Sequence, residues 1–156
     1  IKENYPKEVL DVLMNHIGTH DTQRAINALA GESCDGRSRE WQSGRVLSKK
    51  NYALGKILLK EAAVLQFTLP GIPCIYYGDE TGMTGGADPF NRGFFTERDR
   101  ELTEFYRRLG NMRKNSPALR RGTLEITEKP GAVVISRSLG GEKRTLTVSP
   151  TEFDIR

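Results

Sequence analysis

The sequence predicts an α/β chain: part of a parallel-stranded barrel, followed by a small antiparallel β unit. Three observations carry this. Strand-like and long helix-like segments alternate as far as Asn115. The segment Ile72–Tyr77 is apolar almost without interruption, as suits a strand buried on both faces of a parallel sheet. After Gly122 the texture changes to short alternating segments separated by glycine turns, the pattern of a meander. Two parallel strands are too few for a stable domain, so the first part reads as a piece of a barrel.

Pro6 to Met14 predicts a short helix, with proline suited to its first turn and Val9, Leu10, Val12 and Leu13 on one face. Asn15–Asp21 predicts a strand carrying His16, Gly18 and His20 at strand spacing, with Asp21 at its end. Gly31 to Gly44 is polar and rich in Gly, Ser and Arg, so a loop or irregular insert is expected around Trp41. Lys49–Leu69 predicts the strongest helix, apolar on most sides with a stripe of Lys49, Lys56 and Lys60. Leu69-Pro70-Gly71 ends it. The strand Ile72–Tyr77 stops at Gly78, and a glycine-rich loop, Gly82 to Gly93, leads to a helix at about 97–114. Gly122–Thr127, Ala132–Ser138 and Arg144–Ser149 form the expected meander, with turns at Pro130-Gly131 and Gly140-Gly141. The domain division that follows is 1–121 for the barrel portion and 122–156 for the start of the β unit.

The composition, 37% hydrophobic and 28% charged, is that of a globular protein. No apolar stretch reaches bilayer length and no signal peptide opens the chain, so no membrane partner and a cytoplasmic location are expected. The first residue is not Met, which suggests a segment of something longer. Cys34 and Cys74 read as inert thiols, and with two His and no CxxC pair no metal site is expected. The net charge of +4 lies entirely within 97–121, where eight basic and four acidic residues stand. Acids come first there (Glu97, Asp99, Glu101, Glu104) and bases later (Arg107, Arg108, Arg113, Lys114). That order complements a helix dipole, and nucleic-acid binding is the lesser reading.

In parallel α/β sheets ligands meet the C-terminal ends of the strands. Two polar clusters stand there, Thr19 to Arg24 and Tyr76 to Glu80. The run Asn15-His16-Ile17-Gly18-Thr19-His20-Asp21-Thr22-Gln23-Arg24 resembles the fourth signature region of the α-amylase superfamily, at strand 7 of a (β/α)8 TIM barrel. Gly71-Ile72-Pro73-Cys74-Ile75-Tyr76-Tyr77-Gly78-Asp79-Glu80 resembles strand 8 of the same family. The continuation Gly82 to Arg92 is similar to its neopullulanase, cyclomaltodextrinase and maltogenic amylase branch.

The resemblance implies a retaining glycoside hydrolase acting on α-1,4-glucans such as starch, pullulan and cyclodextrins. It implies that Asp21 is the carboxylate that stabilises the transition state, and that His20 hydrogen-bonds sugar hydroxyls beside it. Asp88 and Arg92 would grip a glucose unit on the non-reducing side. An oxocarbenium-like state calls for such groups, because contacts to sugar hydroxyls tighten as it forms. The family's nucleophilic Asp and general-acid Glu belong to earlier strands, so the isolated chain is expected to be inactive. Its partners would be an α-glucan or maltooligosaccharide and the missing N-terminal part of the same enzyme, with a homo-oligomer possible. No organic cofactor is implied, and the family's calcium sites lie mostly outside this segment.

Rival readings remain for each residue. His20-Asp21 alone could be a satisfied polar turn. Asp79 and Glu80, adjacent on extended chain, point opposite ways, and Glu80 reads as an acceptor for nearby loops. Tyr76, Tyr77 and Trp41 could pack or stack on glucose. A non-catalytic glucan-binding or assembly module is the alternative for the whole chain.

Overall fold

The computed structural model describes residues 3–31, 33–149 and 153–155. The end of the expected β unit, 150–152 and 156, thus lies outside the described residues. Its elements in chain order are α1 (Lys7–Leu10), β1 (Met14–His16), α2 (Ala25–Leu29), α3 (Arg39–Ser43), α4 (Lys49–Thr68) and β2 (Ile72–Cys74). A 3-10 turn at Asp79–Thr81 follows, then α5 (Arg100–Lys114), α6 (Pro117–Arg121), β3 (Thr123–Lys129), β4 (Ala132–Leu139), β5 (Glu142–Val148) and β6 (Phe153–Ile155). β1 and β2 form a two-stranded sheet, and β3-β4-β5-β6 a four-stranded one. No helix among the described residues is long and apolar enough to cross a membrane.

The chain divides into two compact units. One comprises Ile1–Asn15, Val64–Pro73 and Leu109–Arg156; the other His16–Ala63 and Cys74–Arg108.

In the first unit the meander pairs antiparallel throughout, with Ile126 opposite Ile135 and Ile135 opposite Leu146. Gly140 and Gly141 both have positive φ (57° and 87°), which the tight two-residue turn between β4 and β5 requires. A fourth strand, β6, pairs with β5 beyond the three that the alternation predicts. The short helix α6 was also not expected. Ser116 caps it by accepting from Leu119 N–H at 3.2 Å, and Glu142 accepts from Ser116 Oγ and Ala118 N–H. Ser116-Pro117 is the local start signal for this helix, while its partner Glu142 lies on β5 and has no local sign.

Two buried arginines close the carboxyl end of α4. Arg113 donates to the carbonyls of Phe67, Leu69 and Gly71, and Arg137 donates to Thr68 O at 2.8 Å and Gly122 O at 3.0 Å. Of these, the Phe67 and Thr68 carbonyls belong to the last turn of α4, where they carry the negative end of the helix dipole and lack partners within the helix. Burial, with Arg137 nearby, lowers Arg113 to about 10. The cation predicted to complement its own helix thus serves another one.

In the second unit α4 carries its lysines where the sequence places them. Lys56 reaches Asp99 and Glu101, and Lys60 reaches Glu101. Hydrogen bonds from Lys56 and Lys60 hold the Glu101 carboxyl down at about 2. Asp99 also accepts from Leu102 N–H, starting α5 three residues later than the charge pattern suggests. Leu59 and Ala63 are fully buried, while Leu54 and Ile57 stay exposed. β2 is shorter than predicted and Ile72 is exposed, because only one strand accompanies it. β1 is likewise confined to three residues, and helix α1 stops at Leu10 before it.

Gly55 sets the approach of α2 to α4. A Cβ there would lie 2.6 Å from Ile26 O and 2.9 Å from Ile26 Cγ1. Gly55→Ala should therefore destabilise by about 1–3 kcal/mol, although alanine favours helix by up to about 1 kcal/mol. The urea midpoint checks this; a midpoint raised by the substitution would show that α2 yields freely.

Candidate active site

The loops that follow β1 and β2 meet in one polar cluster within the second unit. After β1 the chain makes a turn at 19–22 that is closed by its own threonines. Thr19 N–H donates to Thr22 Oγ1 at 3.0 Å, and Asp21 N–H to Thr19 Oγ1 at 3.2 Å. The turn exposes the two side chains that the sequence nominates. His20 Nε2 lies 3.2 Å from Asp21 Oδ1, with the side chains 64% and 74% exposed. Both are open to solvent and pair with each other, so the turn is satisfied locally while its two side chains stay accessible.

From the other loop come Asp88 and Arg92, an ion pair of 2.6 Å between Arg92 Nε and Asp88 Oδ1. Arg92 Nη2 lies 3.5 Å from His20 O, at the limit of a hydrogen bond. All four nominated residues therefore gather at one place. This pair, four residues apart across a turn, is half exposed, so each can exchange its partner for a ligand hydroxyl.

Beneath them lies a layer that sequence reasoning did not find. Arg24 is fully buried. Its Nε donates to Asn91 O at 2.8 Å, and its Nη1 to Tyr77 O, with Asp79 Oδ1 3.4 Å away. Its guanidinium sits over the rings of Tyr76 and Tyr77, 4.3 and 4.6 Å from their centroids. Asn91, also fully buried, donates to carbonyls of the 19–22 turn. Burial pushes the Asp79 carboxyl up to about 6, against the opposing pull of Arg24. A raised acid pKa makes the folded state hold its proton longer, so this group's contribution falls as pH rises towards 6. These partners are more than fifty residues apart in sequence, so spacing gives no sign of them. A charged residue directly before the apolar Ala25-Ile26 is the one available hint.

Glu80 accepts from Gly78 N–H at 2.7 Å, the loop-bracing role its position suggests. Trp41 does not lie in an irregular insert but on α3, where Arg37 and Arg45 sit over its ring at 4.8 and 5.1 Å. Its ring is thus engaged by guanidinium groups. The insert is fastened to the 85–92 loop, since Ala87 N–H donates to Gln42 Oε1 at 3.0 Å. No disulfide joins Cys34 and Cys74.

Two short strands whose following loops carry exposed carboxylates and cations define an α/β chain with a candidate site at the strand ends. Residues 3–121 match the family described as alpha amylase, catalytic domain, and the chain belongs to the α-amylase family. It is 38% identical over 135 residues to the amylopullulanase of Thermoanaerobacter thermohydrosulfuricus, covering 85% of this chain and 9% of that protein. It is 35% identical over 149 residues to the cyclomaltodextrinase of Geobacillus thermopakistaniensis, covering 91% and 21%. The solved alpha-amylase of Geobacillus thermoleovorans, complexed with acarbose, superposes with a TM-score of 0.68 at 29% identity, covering 88% and 27%. The α/β portion is thus a piece of a (β/α)8 barrel, followed by an antiparallel β unit. The chain spans about a quarter or less of the length of these proteins.

Proposed function

We propose that this chain is the C-terminal part of a retaining α-glucan hydrolase, with residues 1–121 completing the barrel and 122–156 opening the β domain. The observation that carries the proposal is that the exposed His20–Asp21 pair and the Asp88–Arg92 pair stand on neighbouring loops, with Arg92 Nη2 3.5 Å from His20 O. In this reading Asp88 and Arg92 hold one glucose unit by its hydroxyls, and His20 and Asp21 bind the hydroxyls of the next. The ring that becomes planar and positive at its anomeric carbon lies against Asp21, whose hydrogen bonds and charge favour that state over the ground state. A nucleophilic carboxylate and a general acid come from residues outside these 156. The relatives named amylopullulanase and cyclomaltodextrinase support pullulan, starch and cyclodextrin as the substrate class.

The assay uses the full-length protein and the 156-residue chain side by side. The full-length protein should release sugars from cyclodextrin, starch or pullulan with the anomeric configuration retained, as followed by proton NMR. The 156-residue chain should release none, because removing even one member of a catalytic set lowers rates by orders of magnitude. Inversion of configuration, or turnover by the short chain that Asp21→Asn abolishes, would refute the assignment.

A further inference from the structure

We propose that Asn91 is a positioning residue, whose buried side-chain amide fixes the turn that presents His20 and Asp21 to the glucan. The inference rests on the glucanase reading of the site, but its structural part is measured without substrate.

The side chain of Asn91 is fully buried, and its Nδ2 faces three backbone carbonyls of a single turn. Thr22 O is 2.7 Å away, His20 O 2.8 Å and Thr19 O 3.4 Å. Three acceptors around one atom settle which end of the amide is nitrogen, since the reverse placement would set oxygen against oxygen. The carbonyls flank Asp21 on both sides. The turn's own threonine bonds close it internally but do not fix it to the rest of the unit. Asn91 ties it to a second loop at two points that straddle the carboxylate.

That second loop is itself anchored. Arg24 Nε donates to Asn91 O at 2.8 Å, and Arg24 N–H to Gly85 O at 3.1 Å. The amide therefore cannot follow the turn if it moves. Asp88 and Arg92 lie three residues before and one after Asn91, on the same loop. A sugar gripped by that ion pair is consequently held in register with Asp21, with the buried Asn91 amide making the two shortest side-chain bonds to the turn itself. Asn91 touches no substrate; it acts through the carboxylate. Displacing a catalytic group by about 1 Å can cost about 100-fold in rate.

The test compares Asn91→Ala, Asn91→Asp and Asp21→Asn in the full-length protein, with β-cyclodextrin as substrate. Rates are expressed per folded molecule, from near-ultraviolet circular dichroism. Asn91→Ala should lower kcat about 100-fold with KM changed less than about threefold. Added to Asp21→Asn, it should lower kcat by far less than the roughly 100-fold expected alone, because the main group it positions is already disabled and only the share carried by His20 remains to be lost. Amide exchange at 19–22 should quicken at least about tenfold, while amides within Lys56–Ala63 stay unchanged. Asn91→Asp keeps the size but sets carboxylate oxygens against three carbonyls, so exchange should quicken more. Losses that multiply in the double variant, or unchanged exchange at 19–22, would overturn the proposal. Unchanged exchange would do so even if the protein cleaved glucans, and absent turnover with quickened exchange would instead count against the glucanase reading. If Asn91→Ala does not fold, Asn91→Ser carries the same comparisons.

Discussion

Asp21→Asn in the full-length protein is expected to lower kcat by about three orders of magnitude while leaving KM within a few fold. The asymmetry follows from when the side chain does its work. In the ground state the sugar is neutral, so the carboxylate's advantage over a carboxamide is confined to a stronger hydrogen bond with a hydroxyl and lacks any attraction to a charged ring. As positive charge develops on the ring, only the charged acceptor gains, and charge-assisted hydrogen bonds are roughly twice as strong as neutral ones. Losing one such pre-placed group typically costs about 100- to 1000-fold, and a thousandfold loss corresponds to about 4 kcal/mol of barrier. The exposure of Asp21, 74% in this chain, leaves its carboxylate unpledged to any buried partner and so available to substrate. Arg92→Ala should show the opposite split, raising KM with a smaller loss of kcat, because a sugar remote from the cleaved bond is gripped similarly throughout. Steady-state kinetics on cyclodextrin and maltoheptaose separate the two. If both substitutions raised KM alone, Asp21 would be a binding residue and the transition-state role would fall.

What the sequence disclosed, and what it withheld, divide along a physical line. Long helix α4, the meander and the strand-end cluster depend on periodicity, turn glycines and local order, all of which a single chain displays. The exposed residues His20, Asp21, Asp88 and Arg92 were nominated by the resemblance of their runs to the α-amylase family; spacing puts His20 next to Asp21 and Asp88 four before Arg92 but assigns neither pair a role. The supporting layer was not. Arg24, Asp79 and Asn91 are polar residues whose burial is tolerable only because of partners 53 to 71 residues away. Nothing local distinguishes them from solvated residues of the same type. The same holds for Arg113, read from its position as complementing its own helix, and for Arg137; both are buried at the end of α4. Strand ends were misjudged for a related reason. Ile72–Tyr77 has the composition of a doubly buried strand, but a ladder forms only as far as a neighbour extends, and here it ends at Cys74.

Arg24→Met should destabilise the protein by about 3–5 kcal/mol at pH 7.5, and by clearly less at pH 5. Methionine retains much of the volume of arginine, so the loss reports hydrogen bonds and charge more than packing. The guanidinium gives hydrogen bonds to Asn91 O and Tyr77 O, stands 3.4 Å from Asp79 Oδ1, and covers the rings of both tyrosines. Breaking a buried pair by removing one member typically costs about 3–5 kcal/mol, because the remaining charge is left without compensation. The pH dependence identifies which charge that is. Burial already holds Asp79 at about 6 in the presence of the cation, and Arg24 is the principal group lowering it. Without Arg24 the carboxyl rises further. At pH 5 the folded variant then carries Asp79 protonated and neutral, and the uncompensated charge disappears. At pH 7.5 the unfolded chain ionises freely while the folded one must either hold a proton or bury a bare carboxylate, so stability falls as pH rises through the folded value. Arg24→Lys should not restore the loss, because an ammonium cannot reach two carbonyls and a carboxylate with the fixed fork of a guanidinium. Adding Asp79→Asn to Arg24→Met should recover part of the stability at pH 7.5 and little at pH 5. Urea unfolding of the single and double variants at the two pH values reads all of this. A penalty equal at both, untouched by Asp79→Asn, would mean that Arg24 acts through packing and carbonyl contacts alone, and that the buried pair beneath the site contributes no charge coupling.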